Sequence, residues 1–511
     1  MAGEMSPYLL LLPLLAIPLV VLAVARRRGA RLRLRLPPSP WALPVIGHLH
    51  HLAGAAPHRA MRDLARRHGP LMSLRLGGLH VVVASSPDAA REIMRTHDVQ
   101  FASRPVGPML ELVFQGNEGL VFAPYGDAWR QLRKICTLEL LSARRVHSFR
   151  PVREDELGRL LRAVAAAAAA GAPVSLGDRI SAFAADSAVR AIIGSRSEHR
   201  DEFLRLLQEG LKVIPGLSLP DLFPSSRLAM LLSRVPGQTV RRRRGVHAII
   251  DPIIQEHREK RAAAAAAGGV HEDEDLLDML LRLQDDMGGQ YPLNTDNIKS
   301  VMADLFSAGS DTSATALKWA MAELVRHPAA MSKAQAEVRA ALAGRDAVTE
   351  DALSDLPYLR RVIKETLRLH PPVPLLLPRE SRSACQVLGY DVPQGTMVMV
   401  NAWAIGRDPA SWGDAAEEFM PERFETCGRD FRGMDFEFIP FGAGRRVCPG
   451  MAFGMAHVEL VLAALLFHFD WRLPEGVVAE EMDMAEAVGI TAPPRFDLTL
   501  MAIPRVPVTM D

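Results

Sequence analysis

One sulfur has surroundings that suit chemistry. Cys448 follows Phe438-Ile439-Pro440-Phe441-Gly442-Ala443-Gly444-Arg445-Arg446-Val447 and precedes Pro449-Gly450, after which an apolar periodic run from Met451 to Phe467 reads as a helix. The cysteine therefore stands at a helix amino terminus, with Pro449 suited to the first turn. Free amides and the positive end of the helix dipole favour a thiolate there. Such a sulfur is a metal ligand or a nucleophile. Glycines at 442, 444 and 450 remove side chains around it, allowing a sharp turn and close approach by a flat, bulky cofactor. A nucleophile needs a general base that the sequence does not place, and zinc needs further ligands at short spacing that are absent. One thiolate suffices for haem iron, where axial sulfur donates electron density and favours O–O cleavage. Cys136, Cys385 and Cys427 show no CxxC spacing and read as small buried thiols.

A second patch, Ala308-Gly309-Ser310-Asp311-Thr312-Ser313, falls midway along a helical pattern that starts near Thr295 as N-cap and runs to about Val325, before His327-Pro328. A β-branched hydroxyl beside an acid, just after Gly309 and Ser310, makes a poor helix interior, because hydroxyls bond back to carbonyls and bend the ladder. The pattern predicts a kink with room for dioxygen and water.

The elements that must hold these groups are mostly helices. From about residue 55 onward, alanine- and leucine-rich stretches carry helical periodicity, broken by β-like runs at Leu71 to Leu76 and His80 to Ala84. A chain of 511 residues, 49% hydrophobic and 23% charged, buries a large core. Lys plus Arg total 60 against 59 for Asp plus Glu, so no overall field holds a polyanion and nucleic acid is not an expected partner. Ala165 to Ala170 and Ala262 to Asp275 read as solvated spacers. Arg241 to Arg244 read as a solvated helix end, or as a contact for acidic lipid headgroups.

The amino terminus reads as an anchor. Met5 to Ala25 contains no charge, and a helix of that length spans a hydrocarbon core of roughly 30 Å. Ala23-Val24-Ala25 resembles a signal-peptide cleavage pattern, but Glu4 precedes the apolar run and Arg26, Arg27, Arg28, Arg31, Arg33 and Arg35 follow it. By the positive-inside rule those arginines stay cytosolic. Residues 1–25 are thus expected to anchor the chain, 26–45 to form a basic, proline-rich linker, and 46–511 to form the catalytic domain.

Phe441-x-x-Gly444-x-Arg446-x-Cys448-x-Gly450 resembles the haem-binding signature of the cytochrome P-450 monooxygenases. Glu365-Thr366-Leu367-Arg368 resembles the family's ExxR helix, and Pro421-Glu422-Arg423-Phe424 the segment whose arginine joins that pair. The same spacing at Glu92/Arg95, Glu156/Arg159, Glu202/Arg205 and Glu323/Arg326 needs no more than surface ion pairs. Trp129-Arg130-Gln131-Leu132-Arg133 resembles the WxxxR helix, and the 308–313 patch the oxygen-binding groove. The strap Pro37-Pro38-Ser39-Pro40 has serine where the family usually has glycine.

The resemblance, closest to the plant microsomal A-type group, implies a mainly α fold with small β-sheets. It implies haem b with Cys448 as axial ligand and Phe441 and Gly450 beside the haem. Trp129, Arg133, Arg379 and Arg446 are implied at the propionates, and Asp311 and Thr312 as proton relay and dioxygen-site hydroxyl. It also implies hydroxylation of an apolar small molecule such as a terpenoid, an endoplasmic reticulum membrane location and a separate NADPH-dependent cytochrome P-450 reductase. The chain has no GxGxxG after a strand and no iron–sulfur cysteine cluster of its own. Substrate contacts are expected from Pro105 to Leu120, Leu305, Ala308, Val373 to Leu377 and Val488 to Thr491. A reductase-independent isomerase or dehydratase and a noncatalytic haem sensor are the competing functions.

Overall fold

A computed structural model describes residues 34–114, 119–194, 200–211, 218–267, 275–286 and 292–508. The expected anchor, 1–25, lies outside these residues.

The centre of the molecule is the helix Thr295–Arg326. It is capped one residue earlier than the sequence suggests: Asn294 Oδ1 accepts from the Asn297 amide at 2.7 Å, and Asn297 Oδ1 accepts from the Asn294 amide at 3.0 Å. From Ser313 to Val325 it is buried almost all round, packed against the helices Leu176–Ile193 and Met451–His468. The latter is long and apolar enough to cross a membrane, yet Leu460 to Leu466 are 0% exposed within the protein core. A helix apolar on every side is satisfied by protein as well as by lipid.

The β-like runs are the strands Leu71–Leu76 and Leu79–Ala84, paired antiparallel. Met397–Val400 adds parallel to the second, and Arg379–Glu380 closes the four-stranded sheet. Smaller sheets complete a mainly α fold.

The alanine runs of both expected spacers are helical, while residues 268–274 of the second lie outside the described residues. Ala165 to Ala169 finish the helix Arg150–Ala169, and Ala262 to Ala266 finish the helix Val235–Ala266. Alanine is the strongest helix former, so an alanine run continues a helix that packing has already nucleated. Asp275, assigned to a spacer, is buried, accepting from the Asp278 amide at 2.9 Å with His257 Nε2 at 3.0 Å.

A buried ion cluster fixes the segment that leads to the cysteine loop. Glu365 and Arg368 share one face of the helix Pro357–Leu369 at 0% and 1% exposure. Arg368 donates to both Glu365 oxygens at 2.7 and 2.8 Å, and Arg423 Nε donates to Oε1 at 2.8 Å. The remaining guanidinium donors reach carbonyls of Gly406, Ala415, Ala416 and Glu418. From there Trp412, Phe424, Phe431, Phe438 and Phe441 pack ring on ring toward the loop. Glu323 and Glu156 depart from the surface-pair expectation: Glu323 is 4% exposed and lies 2.6 Å from His370 Nε2, and Glu156 is 2% exposed and accepts from Arg190 at 2.8 Å.

Candidate active site

The cysteine loop closes one end of a cavity of about 370 Å³. Gly442 and Gly444 have φ of +70° and +67°, and a Cβ on Gly444 would fall 2.2 Å from the Met94 carbonyl oxygen. The turn therefore requires glycine. The Cys448 amide donates to the Phe441 carbonyl at 2.9 Å, and Cys448, Phe441 and Gly450 all line the cavity. The following helix starts at Met451 with Gly450 as its cap, so Pro449 lies before the first turn. Burial pushes the Cys448 thiol up, outweighing the Gly450 amide and the Arg133 guanidinium that favour the thiolate. The helix end therefore does not by itself lower this thiol, and a bound metal cation would favour the thiolate.

Beside the sulfur stands a wall of arginines. Arg133 Nη2 donates to the Val447 carbonyl at 2.6 Å. Arg379 donates to the Ala443 carbonyl at 2.7 Å and to Asp98 at 3.3 Å. Arg446 donates to the carbonyls of Ala102 at 2.7 Å and Ala123 at 2.5 Å. The fourth is Arg104, which the sequence reading missed; it donates to the carbonyls of Val121, Leu377 and Pro378 at 2.8–3.1 Å. Arg104, Arg379 and Arg446 are 6%, 3% and 8% exposed, and all four line the cavity. Burial pulls each guanidinium below its ordinary value, and neighbouring arginines pull Arg104 and Arg446 further. Three buried guanidiniums and the half-buried Arg133 face the cavity, with Asp98 paired to Arg379, and such a donor set suits an acidic ligand.

Trp129 stands behind this wall. Its indole N–H donates to the Leu120 carbonyl at 2.9 Å, and the Arg446 guanidinium lies 3.9 Å from its ring centre. Thr312 lines the cavity, its hydroxyl donating to the Ala308 carbonyl at 2.6 Å, and Ser310 likewise bonds back to Phe306 at 2.7 Å. Helical residues run continuously through this patch. Asp311 accepts from Thr491 Oγ1 at 2.5 Å, and Thr491 lines the cavity, so the carboxylate connects to it through that hydroxyl.

The rest of the lining is largely apolar: Val113, Leu120, Phe122, Leu305, Ala308, Val373, Leu376, Leu377 and Ile490 among others. Val488, expected at the substrate, is 75% exposed and outside the cavity. A second missed residue is Asp304, buried on the central helix. Its Oδ2 accepts from the amides of Leu120 and Val121 at 2.8 and 3.0 Å, fixing the loop opposite, and burial pushes its carboxyl up to about 7.

A cysteine loop at the core of a helical body, opposite a hydroxyl-bearing central helix and beside a cationic wall, defines a haem-thiolate oxygenase. The chain belongs to the cytochrome P450 family, whose model matches residues 37–500. It is similar to premnaspirodiene oxygenase of Hyoscyamus muticus, 46% identical over 473 residues and 93% of each chain. It is also similar to ent-isokaurene C2/C3-hydroxylase of Oryza sativa subsp. japonica, 47% identical over 500 residues, 96% of this chain and 97% of that one. Its fold is shared with a zebrafish cytochrome P450 solved with abiraterone, at a TM-score of 0.73 and 24% identity, covering 88% of this chain and 99% of that one. The protein is a monooxygenase with haem-thiolate iron as its cofactor.

Proposed function

We propose that this enzyme hydroxylates a terpenoid of plant specialised metabolism, with Cys448 as the axial ligand of haem. The observation that carries the reading is one cavity that brings Cys448, the arginine wall and Thr312 against a mainly apolar lining. The diene and kaurene compounds in the relatives' names support the substrate class.

Arg104, Arg133, Arg379 and Arg446 would hold the haem propionates, with Trp129 keeping Arg446 in place. When bound, haem iron supplies reductive activation of dioxygen, which axial sulfur favours. Thr312 presents a hydroxyl at the cavity, and Asp311 with Thr491 forms a short path by which a proton moves inward. The apolar lining excludes water and so limits loss of reducing equivalents. Electrons would come from a separate NADPH-dependent reductase. Arg130 and Arg445, with side chains 57% and 49% exposed near the cysteine side, suit an acidic docking surface.

Attachment of the catalytic domain, residues 46–511, to the endoplasmic reticulum membrane through residues 1–25 has support from the surface. Trp41, Val45, Leu228, Leu231 and Leu232 are 64%, 68%, 61%, 81% and 68% exposed. The segments that carry them meet at the turn after the first strand, where the Gly77 amide bonds the Ile46 carbonyl and the Gly78 amide bonds the Leu222 carbonyl. An exposed apolar face of this kind suits a lipid surface.

Purified protein should bind haem and show the red-shifted ferrous-carbonyl Soret band of sulfur ligation, and Cys448→Ser should abolish that band. With reductase and NADPH, product mass should exceed that of a terpene substrate by one oxygen. Product formed without NADPH would favour the isomerase reading instead.

A further inference from the structure

The basic run Arg241 to Arg244, a solvated helix end on sequence grounds, has a different place in the fold. The helix Val235–Ala266 turns Arg242, Arg243, Val246 and His247 onto the cavity, and the central helix brings Lys299 and Ser300 to the same end. Arg242 is paired, its Nε donating to Glu209 at 3.0 Å. Lys299 lies 2.5 Å from Asp251 and 4.0 Å from Asp296. Arg243 differs: it is half-buried, lines the cavity and has no carboxylate within 4.0 Å among the described residues. His247 beside it is also half-buried and lines the cavity, with no hydrogen-bond partner among the described residues. Among the described residues, Glu209 is engaged with Arg242, and Asp251 with Lys299.

A half-buried guanidinium at the wall of an apolar cavity, with no carboxylate on it among the described residues, offers a planar fork that fits a carboxylate in two bonds. The cavity is thus chemically two-ended, with Cys448 and Thr312 at one end and Arg243 and His247 at the other. Residues 299 and 312 stand roughly 20 Å apart along the central helix at about 1.5 Å per residue, a span that long side chains shorten from the outer end.

We propose that the substrate is an amphiphilic acid of diterpenoid size, its carboxylate on Arg243 with His247 as a second polar contact, and its apolar body reaching toward Thr312. The inference rests on the monooxygenase reading of the same cavity and names its substrate class. Anchoring one end would fix which carbon meets the oxidant, so Arg243 would set regiochemistry without touching the reacting atoms.

Haem-loaded full-length enzyme in neutral phosphatidylcholine nanodiscs is titrated with abietic acid and with methyl abietate, following the Soret shift and, independently, calorimetric heat. The acid should bind about tenfold more tightly than the ester. Arg243→Ala should bring the acid to the level of the ester while leaving ester affinity unchanged, which also shows that the variant is folded, and Arg243→Lys should keep part of the preference. Equal affinities in the native enzyme, an acid preference that survives Arg243→Ala, or binding of neither compound would overturn the proposal. Turnover of a neutral terpene with reductase and NADPH, without any acid preference, would remove this inference and leave the monooxygenase reading intact. Acid binding dependent on Arg243, with no terpenoid oxidised, would do the reverse.

Discussion

Two groups of largely buried arginines support the cysteine loop and the segment leading to it, and they are solvated differently. Arg368 and Arg423 close on the Glu365 carboxylate, with backbone carbonyls taking most of the remaining donors. Arg104, Arg133, Arg379 and Arg446 rest mainly on carbonyls and face a cavity, with Asp98 paired to Arg379. Carbonyl dipoles satisfy the hydrogen-bond geometry of a guanidinium but do not cancel its charge. The first group is a finished structural joint. The second is complete only with an acidic ligand in place, which distinguishes a binding wall from a scaffold built of the same residue type.

The contrast is broken most severely at Glu365. Glu365→Gln strands two buried cations, a loss of about 3–5 kcal/mol for a broken buried pair, and should sharply reduce the yield of folded protein before haem is considered. Recovery of soluble protein and thermal unfolding measure this. A variant as stable as the native enzyme would show that the two groups are not different in kind.

Arg104→Gln tests the other side. It removes one of the uncompensated charges while keeping an amide donor for the carbonyls of Val121, Leu377 and Pro378, so apoprotein stability should change little. Haem affinity should fall about 10–100-fold, the worth of one charge-assisted hydrogen bond. Transfer of haem to an acceptor protein gives the rate, and unchanged transfer would remove Arg104 from the wall.

The smallest effect is expected at Asp304, the anionic counterpart of the wall, an acid held by amides. Its carboxyl is pushed up to about 7 from 3.8 by burial. The folded state therefore keeps a proton that the unfolded chain releases in this interval, so Asp304 lowers stability as pH rises from about 4 to about 7, and the loss persists above. Both amides reach one oxygen, so Asp304→Asn can keep both bonds without the charge. The variant should melt a few degrees above the native enzyme at pH 8, with the gap narrowing toward pH 5. A gap independent of pH would show that the carboxylate charge is not its source.

Much of the site was legible because it is local in sequence. The loop from Phe441 to Gly450 carries its own turn residues, and Glu365 and Arg368 are three apart on one helix, so spacing alone puts them on one face. The same logic misread Glu156, Glu323 and the alanine runs. A surface pair and a buried acid share one spacing, and whether alanine continues a helix depends on what packs beside it.

The sequence by itself determined the reactive sulfur, the glycine turn around it, the apolar character of the two long core helices and the hydroxyl patch midway along one of them, because each is written within a few turns of chain. Only the tertiary structure decided that Arg104, Arg133, Arg379 and Arg446 share one wall, that Asp304 holds the loop opposite, and that Arg243 borders the cavity. Those facts depend on elements far apart in the chain crossing at fixed angles, and no local period records where a long polar side chain meets another element's backbone.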